Sequence, residues 1–173
     1  MAKLTFILGG ARSGKSSFAV ELAKQYGNVA YVATAQVLDD EMRERVEMHK
    51  KLRPASWKVV ESPINVADTV ERLKADLILI DCLTLYVSNL LLDADCEGAK
   101  EEYITNEIKR LCDVSENVGA DVIMVSNEVG LGIVPADPLG RKFRDIAGRV
   151  NQTVASRADE VYFVTAGIPQ RLK

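Results

Sequence analysis

The sequence predicts an α/β fold, with a mainly parallel sheet that carries helices on both faces. Short apolar runs rich in β-forming residues alternate along the chain with stretches of helical periodicity. Several of these runs are continuously apolar, which is typical of parallel strands buried on both faces. A length of 173 residues suits one compact domain, and 47% hydrophobic residues can fill its core. We therefore expect residues 1–173 to form a single domain.

The first half of the chain alternates between the two element types. Asp39 is suited to cap the second helix, because its side chain can accept from free backbone N–H groups. Met42, Val46 and His49 then follow at helical spacing. The predicted strands are Leu4–Leu8, Val29–Ala33, Trp57–Val60 and Leu77–Ile80, and the predicted helices are Ser17–Tyr26, Asp39–Lys51 and Val66–Lys74.

The second half continues the alternation with a charged helix at Lys100–Val118 and strands at Asp121–Ser126 and Glu160–Val164. A loop rich in glycine and proline, Asn127–Pro138, follows the first of these strands. It lies just past a strand's carboxyl end, where open α/β sheets place their ligands.

Composition excludes several classes of protein. The net charge of −3 gives no broad electrostatic reason to expect nucleic acid or an anionic membrane as partner. Cys82, Cys96 and Cys112 are odd in number and lack C-x-x-C spacing, which disfavours a disulfide framework or a structural zinc site and favours a reducing cytoplasm. Polar residues interrupt the apolar stretch Leu77–Leu92, and the N-terminal apolar run is too short for a signal peptide, so we expect no membrane span and no leader.

The stretch GGARSGKSS, Gly9–Ser17, reads as G-x-x-x-x-G-K-S and lies between a predicted strand and a predicted helix. Its glycines allow a tight turn whose N–H groups point inward, and the following helix adds its positive dipole end. Lys15 is placed to reach the β- and γ-phosphates of a nucleotide, and the Ser16 hydroxyl to ligate Mg²⁺. This pattern in this context predicts a P-loop NTPase.

The run LILID, Leu77–Asp81, ends a buried strand with an acid. In P-loop proteins an acid at this position holds Mg²⁺ directly or through water. A strand-end Asp also serves as a turn or cap residue in many proteins. Together with the glycine loop, the metal role for Asp81 is favoured.

His49 is the only histidine of the chain, and it lies in a basic stretch. Arg45 precedes it by one helical turn, while Lys50, Lys51 and Arg53 follow. Such a run beside a phosphate loop would bind phosphates, and a neutral imidazole is a competent nucleophile toward phosphorus. The same run equally fits a solvated helix end whose cations complement the helix dipole.

Six segments together resemble one known family. They are GGARSGKSS, VATAQ (Val32–Gln36), DDEMRERVEMHKKLRPASW (Asp39–Trp57), IDCLTLYVSNLL (Ile80–Leu91), SNEVGLGIVP (Ser126–Pro135) and RKFRDIAGRVNQTVA (Arg141–Ala155). In this order they resemble the bifunctional adenosylcobinamide kinase / adenosylcobinamide-phosphate guanylyltransferase family of cobalamin biosynthesis. The similarity extends from Lys3 to the closing GIPQRLK.

The resemblance implies two reactions. ATP or GTP phosphorylates the aminopropanol hydroxyl of adenosylcobinamide, and GTP then transfers GMP to that phosphate through a GMP–histidine intermediate. The family's pattern R-[IV]-x-x-H-x-x-x-R falls on Arg45, Val46, His49 and Arg53, so His49 is the implied nucleophile. Some members carry two adjacent histidines, whereas Met48 precedes His49 here.

The resemblance also implies a RecA-like sheet, a homotrimer, Mg²⁺ and a set of contacts to the nucleotide or its metal. That set is Gly9, Gly10, Ala11, Arg12, Ser13, Gly14, Lys15, Ser16, Thr34, Ala35, Gln36, Lys50, Lys51, Leu52, Arg53, Glu61 and Asp81, with Lys15 and His49 as catalytic residues and Ser16 and Asp81 on the metal. Further polar residues either shape the corrinoid and nucleotide site or only cap helices and pair on the surface: Asn127, Glu128, Arg141, Arg144, Asp145, Arg149 and Asn151.

Two other functions fit parts of the pattern. A small-molecule P-loop kinase would carry a structural His49 and no covalent nucleotide. A nucleotide-binding regulator would bind ATP or GTP without turning over a corrinoid. The order and extent of the similar segments favour the bifunctional enzyme over both.

Overall fold

A computed structural model describes residues 2–36, 40–93 and 100–173. The strands are β1 (Leu4–Gly9), β2 (Val29–Ala33), β3 (Lys58–Glu61), β4 (Leu77–Asp81), β5 (Asp121–Asn127), β6 (Glu160–Thr165) and β7 (Ile168–Arg171). The helices are α1 (Lys15–Ala23), α2 (Asp40–Leu52), α3 (Val66–Arg72), α4 (Leu83–Leu92), α5 (Lys100–Asn117) and α6 (Pro138–Arg157).

The described strands form one sheet in the order β3-β2-β4-β5-β1-β6-β7. All its neighbouring pairs are parallel except β6 and β7, which are antiparallel. The carboxyl ends of the parallel strands therefore meet at one edge. The expected mainly parallel α/β sheet is confirmed.

Two hydrophobic clusters cover the two faces of this sheet. One contains Ala19 and Val20 of α1 together with Ile123 and Val125 of β5. The other contains residues of α3, α4, α5 and α6, and Met124 of β5 belongs to it. Side chains of a strand alternate between faces, so each central strand contributes to both clusters and reads as a continuous apolar run.

Several predicted boundaries shift, and three elements were not predicted. α1 begins at Lys15 and ends at Ala23, so it is displaced toward the glycine loop, and α3 and α5 end at Arg72 and Asn117. α4, α6 and β7 are the unpredicted elements. The expected capping residue Asp39 and the third cysteine, Cys96, lie outside the described residues.

Two smaller expectations can be compared with the structure. No helix in the described part of the chain is long and apolar enough to cross a membrane. Cys82 and Cys112 are free and buried. Burial raises the pKa of each thiol to about 11, with Asp81 adding to the effect at Cys82.

Candidate active site

The glycine loop begins at Gly9, the last residue of β1, where neighbouring atoms leave no room for a side chain. A Cβ on Gly9 would lie 2.6 Å from the Val164 carbonyl oxygen and would also overlap Ser13 Oγ. Gly14 has a φ of 94°, a left-handed conformation that glycine adopts without strain. Ser13 Oγ is buried and has no hydrogen-bond partner within the described residues. The loop is thus shaped by its backbone, with one hydroxyl unpaired.

Lys15 opens α1 and is buried against this loop, with 9% of its surface exposed. Its Nζ donates a hydrogen bond to the Gly10 carbonyl at 3.0 Å. Burial lowers the pKa of Lys15, and the nearby Cys82 and Asp81 oppose that shift. The Lys15 ammonium is therefore held against the loop at Gly10. A bound phosphate would be a stronger hydrogen-bond partner for it than the neutral Gly10 carbonyl.

Asp81 ends β4 at the same edge, and its side chain is 8% exposed. Its Oδ2 accepts from the Tyr31 hydroxyl at 2.9 Å and lies 3.2 Å from His49 Nδ1. Ser16 also hydrogen-bonds to this carboxylate. Burial alone would raise the pKa of Asp81, but the hydrogen bonds from His49, Tyr31 and Ser16 outweigh it and hold the pKa below its usual range.

His49 occupies the last turn of α2, and its side chain is 41% exposed. The contact of Nδ1 with Asp81 assigns the ring hydrogen to that nitrogen. In the neutral ring of that tautomer, Nε2 carries the lone pair. A carboxylate that fixes the tautomer of a partly exposed imidazole is an arrangement suited to nucleophilic or acid–base chemistry.

The basic residues after His49 are not equivalent. The Arg53 guanidinium lies over the ring of Tyr31, with its Cζ 4.2 Å from the ring centre, so it is tied to the residue that holds Asp81. Lys50 instead pairs with Glu47 at 2.6 Å. Lys51 and Leu52 are exposed. Arg45 precedes His49 by one turn of α2, and its side chain is not among those that the structure describes.

Thr34, which the resemblance places in contact with nucleotide, uses its side chain to bind the backbone of Cys82. It is fully buried, and its hydroxyl accepts from the Cys82 N–H at 2.8 Å and donates to the Cys82 carbonyl at 2.7 Å. Its side chain therefore positions the backbone that follows Asp81. Ala35 is half-buried and Gln36 exposed, while Glu61 is exposed at the end of β3 beside Ala33.

Most of the polar residues that the sequence analysis singled out, and that lie on α6, pair on the surface or stabilise the loop before it. Arg141 Nη1 donates to the carbonyls of Pro135 and Ala136, at 3.0 and 2.6 Å. Arg144 and Asp145 pair with each other, and Arg149 pairs with Glu101. For these residues the surface-pairing alternative is the one that the contacts favour.

Sequence reasoning named Asn151 but missed Tyr31 and the buried polar network beneath Asn127 to which Asn151 belongs. The network joins Thr84, Ser126 and Asn151: Ser126 Oγ donates to Asn151 Oδ1 at 2.8 Å and lies 3.2 Å from Thr84 Oγ1. Tyr31 looked like an ordinary strand residue inside VAYVA. Polar side chains inside an otherwise apolar strand or helix were the available signal for the network.

Comparisons with known proteins identify the family. The family described as cobinamide kinase / cobinamide phosphate guanyltransferase matches residues 5–172. The chain is 42% identical to the bifunctional adenosylcobalamin biosynthesis protein CobU of Salmonella typhimurium, covering 98% of this chain and 99% of that protein. It is 41% identical to the CobU of Escherichia coli, with the same coverage, and 42% identical to the bifunctional adenosylcobalamin biosynthesis protein CobP of Pseudomonas aeruginosa, covering 96% and 95% of the two chains.

A solved structure supports the fold alone. The KaiC-like protein PH0186 of Pyrococcus horikoshii superposes with a TM-score of 0.50 at 15% identity, covering 93% of this chain and 70% of that one. Similarity at this identity carries no statement about substrate. The family match over nearly all residues and the three relatives carry the assignment: the chain belongs to the cobinamide kinase / cobinamide phosphate guanyltransferase family.

Proposed function

We infer that this chain phosphorylates adenosylcobinamide with ATP or GTP and then transfers GMP from GTP to the product phosphate. The products of the second reaction are adenosyl-GDP-cobinamide and pyrophosphate. Family membership supports the pair of reactions. The observation that carries the mechanism is the 3.2 Å contact between His49 Nδ1 and Asp81 beside the phosphate loop.

In the first reaction the loop from Gly9 to Ser16 holds the triphosphate. Backbone N–H groups and the dipole of α1 face the phosphates, and the Lys15 ammonium exchanges the Gly10 carbonyl for a phosphate oxygen. The cobinamide hydroxyl oxygen attacks the γ-phosphorus while the bond to the bridging oxygen breaks. Positioning and charge neutralisation supply most of the catalysis in such transfers.

The oxygen donors of Ser16 and Asp81 fit Mg²⁺. The two side chains are hydrogen-bonded to each other, and both are hard ligands of the kind that this cation prefers. Within the described residues no group of three or more His, Cys, Asp or Glu could hold a metal by itself. A site of two protein oxygens completed by nucleotide phosphates and water matches how Mg²⁺ is commonly bound, and the ion would neutralise phosphate charge.

In the second reaction His49 Nε2 attacks the α-phosphorus of GTP, and the bond to the β-phosphate oxygen breaks to release pyrophosphate. Lys15 and Lys51 neutralise the leaving group. Asp81 retains the Nδ1 hydrogen and stabilises the positive charge of the phosphorylated ring. An oxygen of the cobinamide phosphate then attacks the same phosphorus, the P–N bond breaks, and neutral His49 is restored.

Two features of the loop after β5 support the proposal that the corrinoid binds on this side of the site. It leaves the same edge as the phosphate loop, and the Glu128 N–H donates to the Gly9 carbonyl at 3.0 Å. Leu131 and Ile133 on this loop are 82% and 97% exposed. A macrocycle with broad apolar faces is a ligand that such side chains can contact.

The homotrimer and the cytoplasmic location that the resemblance implies belong to the same proposal. Two buried free cysteines suit a reducing compartment. Sedimentation equilibrium tests the assembly, because a trimer has three times the chain mass of 19.0 kDa. A mass equal to one chain over the working concentration range would contradict it.

Incubation with Mg²⁺ and α-labelled GTP tests the function, followed by denaturation and peptide mapping. We expect an acid-labile, base-stable label on the His49 peptide, absent in His49→Ala. His49→Ala should retain phosphorylation of cobinamide, since that reaction does not use the imidazole as nucleophile. Intact GTP binding with no covalent label in the unsubstituted protein would favour a small-molecule kinase with a structural His49.

A further inference from the structure

Asn127 ends β5, the strand that lies between the two strands of the site. On one side β5 pairs with β1, and Asn127 is the register partner of Gly9, where the phosphate loop begins. On the other side β5 pairs with β4, where Val125 is the partner of Asp81. Asn127 therefore stands at the carboxyl edge of the sheet, between the phosphate loop and the acid.

The alternation of side chains along β5 places the Asn127 amide on the α1 face. Ile123 and Val125 pack in the cluster that contains α1, whereas Met124 packs on the opposite face. Asn127 follows Val125 by two residues and so has the same orientation. Leu77 and Leu79 of β4 belong to the α1 cluster as well, which puts Asp81 on the same face as Asn127.

The polar network beneath Asn127 holds its backbone and leaves its amide oxygen unpaired. The Asn127 N–H donates to Thr84 Oγ1 at 2.6 Å, and its carbonyl accepts from Asn151 Nδ2 at 3.1 Å. Asn127 Oδ1 is buried and has no hydrogen-bond partner in the part of the chain that the structure describes. A buried acceptor without a donor is unfavourable, and at a functional site it indicates a partner that arrives with the substrate.

The chemistry of the two substrates identifies that partner. Phosphate oxygens are acceptors and offer no hydrogen to an amide oxygen, and the Lys15 ammonium donates to the Gly10 carbonyl and not to Asn127 Oδ1. A substrate hydroxyl does supply a donor, and because Asn127 lies beside Gly9 at the phosphate end of the site, the cobinamide hydroxyl fits this position better than a ribose hydroxyl. We propose that Asn127 Oδ1 accepts the hydrogen bond of the attacking cobinamide hydroxyl in the kinase reaction, an inference that rests on the proposed function.

The step balances without a protein base. The cobinamide hydroxyl donates a hydrogen bond to Asn127 Oδ1. This contact directs a lone pair of the hydroxyl oxygen at the γ-phosphorus. The new P–O bond forms, and the bond to the β,γ-bridging oxygen breaks with its electrons left on the nucleoside diphosphate. The proton passes to an oxygen of the transferred phosphoryl group and then to water, because an amide orients the nucleophile but does not retain its proton.

Asn127→Ala separates this role from binding of the triphosphate. Guanylylation of His49 uses the same loop but no cobinamide hydroxyl. With γ-labelled GTP and adenosylcobinamide we expect single-turnover phosphorylation to slow about 10- to 100-fold. With α-labelled GTP alone, the rate of His49 labelling should not change. Asn127→Ser, whose hydroxyl is too short to replace the amide, should behave in the same way.

Ser126→Ala is the matched control on the opposite face of the same strand. It removes the hydrogen bonds of Ser126 to Asn151 and Thr84, so we expect a lower melting temperature and parallel changes in both reactions. Asn127→Ala should melt no lower than the unsubstituted protein, because the deleted oxygen has no partner.

Four outcomes distinguish the possibilities. Selective loss of phosphorylation supports the proposal. Equal loss in both reactions, or unchanged phosphorylation in a folded variant, overturns it. If the unsubstituted protein neither phosphorylates cobinamide nor labels His49, the proposed function fails, and that failure is visible before any variant is compared.

Discussion

Tyr31→Phe removes a single hydroxyl from the carboxylate at the centre of the site. The hydroxyl donates to Asp81 Oδ2 at 2.9 Å, and the pKa of Tyr31 is raised by its burial and by Asp81. Phenylalanine keeps the ring, so the contact with the Arg53 guanidinium at 4.2 Å remains. The substitution therefore isolates one hydrogen bond to a buried charge.

The expected loss follows from that isolation. A hydrogen bond to a charged group contributes about 1.5–3 kcal/mol to the free energy of unfolding. For a chain of this size each kcal/mol lowers Tm by about 2–4 °C, which gives a fall of roughly 3–12 °C. Since the variant carboxylate is held less firmly, His49 is less well oriented, and we expect guanylylation to slow about 10-fold.

The pH dependence has a definite sign. The folded-state pKa of Asp81 is depressed, so its ionised form stabilises the protein above the unfolded-state pKa of about 4, and that contribution is lost as the pH falls through the folded-state value. Removing a donor raises the folded-state pKa toward the unfolded one. The difference in Tm between the unsubstituted protein and Tyr31→Phe should reach its largest value by pH 7 and should become smaller below about pH 4.

Tyr26→Phe is the matched control. Its hydroxyl donates to Asp121 Oδ2 at 2.7 Å at the opposite end of the sheet, and the hydrogen bond to Asp121 raises the pKa of Tyr26 to about 12. Calorimetry should show a smaller loss, because this pair is nearer to solvent, and His49 labelling should be unaffected. The central role given to the Tyr31–Asp81 contact is refuted if Tyr31→Phe has the same melting temperature as Tyr26→Phe and its His49 is labelled at the full rate.

Three further outcomes are expected. Gly9→Ala places a methyl group 2.6 Å from the Val164 carbonyl oxygen and against Ser13 Oγ, so the loop must move. We expect the free energy of unfolding, measured with denaturant, to fall by about 1–3 kcal/mol, and GTP binding, measured by calorimetry, to weaken. Unchanged binding would contradict this packing. Arg53→Ala removes the cation over Tyr31 and should destabilise by about 0.5–2 kcal/mol, with Arg53→Lys recovering part of it. EDTA should stop both reactions without lowering Tm of the nucleotide-free protein; a large fall in Tm would indicate a structural metal instead.

The fold was predictable where burial leaves a local pattern. Continuous apolar runs marked the central strands. Because α4 is also buried along most of its length, its sequence and that of β4 read as one apolar stretch, and the helix was not recognised. α6 was missed although its start signal was present: the Asp137 side chain accepts from the backbone N–H groups of Leu139 and Gly140, and Pro138 opens the helix. The glycines nearby made this segment read as loop. The edge strand β7 is exposed throughout, so no apolar pattern marked it.

The site was predictable where its residues are adjacent in sequence. Gly9–Ser16 run without a break from the end of β1 to the start of α1, so their spacing alone predicts a phosphate loop. The partners of Asp81 come from other elements and depend on register: Ala33 is opposite Asp81, which sets Tyr31 beside the carboxylate. The Thr34 contact depends on the fold in the same way, since its buried hydroxyl donates to the carbonyl of Cys82, a residue 48 positions away in the chain.

Asp81 joins the two halves of the proposed chemistry. The sequence pattern favoured a metal role for it over a turn or cap role, and in the structure its carboxylate accepts from Tyr31 and contacts His49. Any replacement of Asp81 changes the phosphate loop through Ser16 and the nucleophile through His49 at once. Substitutions at Asp81 therefore cannot separate phosphoryl from guanylyl transfer. His49 and Asn127 each serve one reaction in the proposed mechanism, so opposite selectivities in their variants are the outcome that would resolve the two activities.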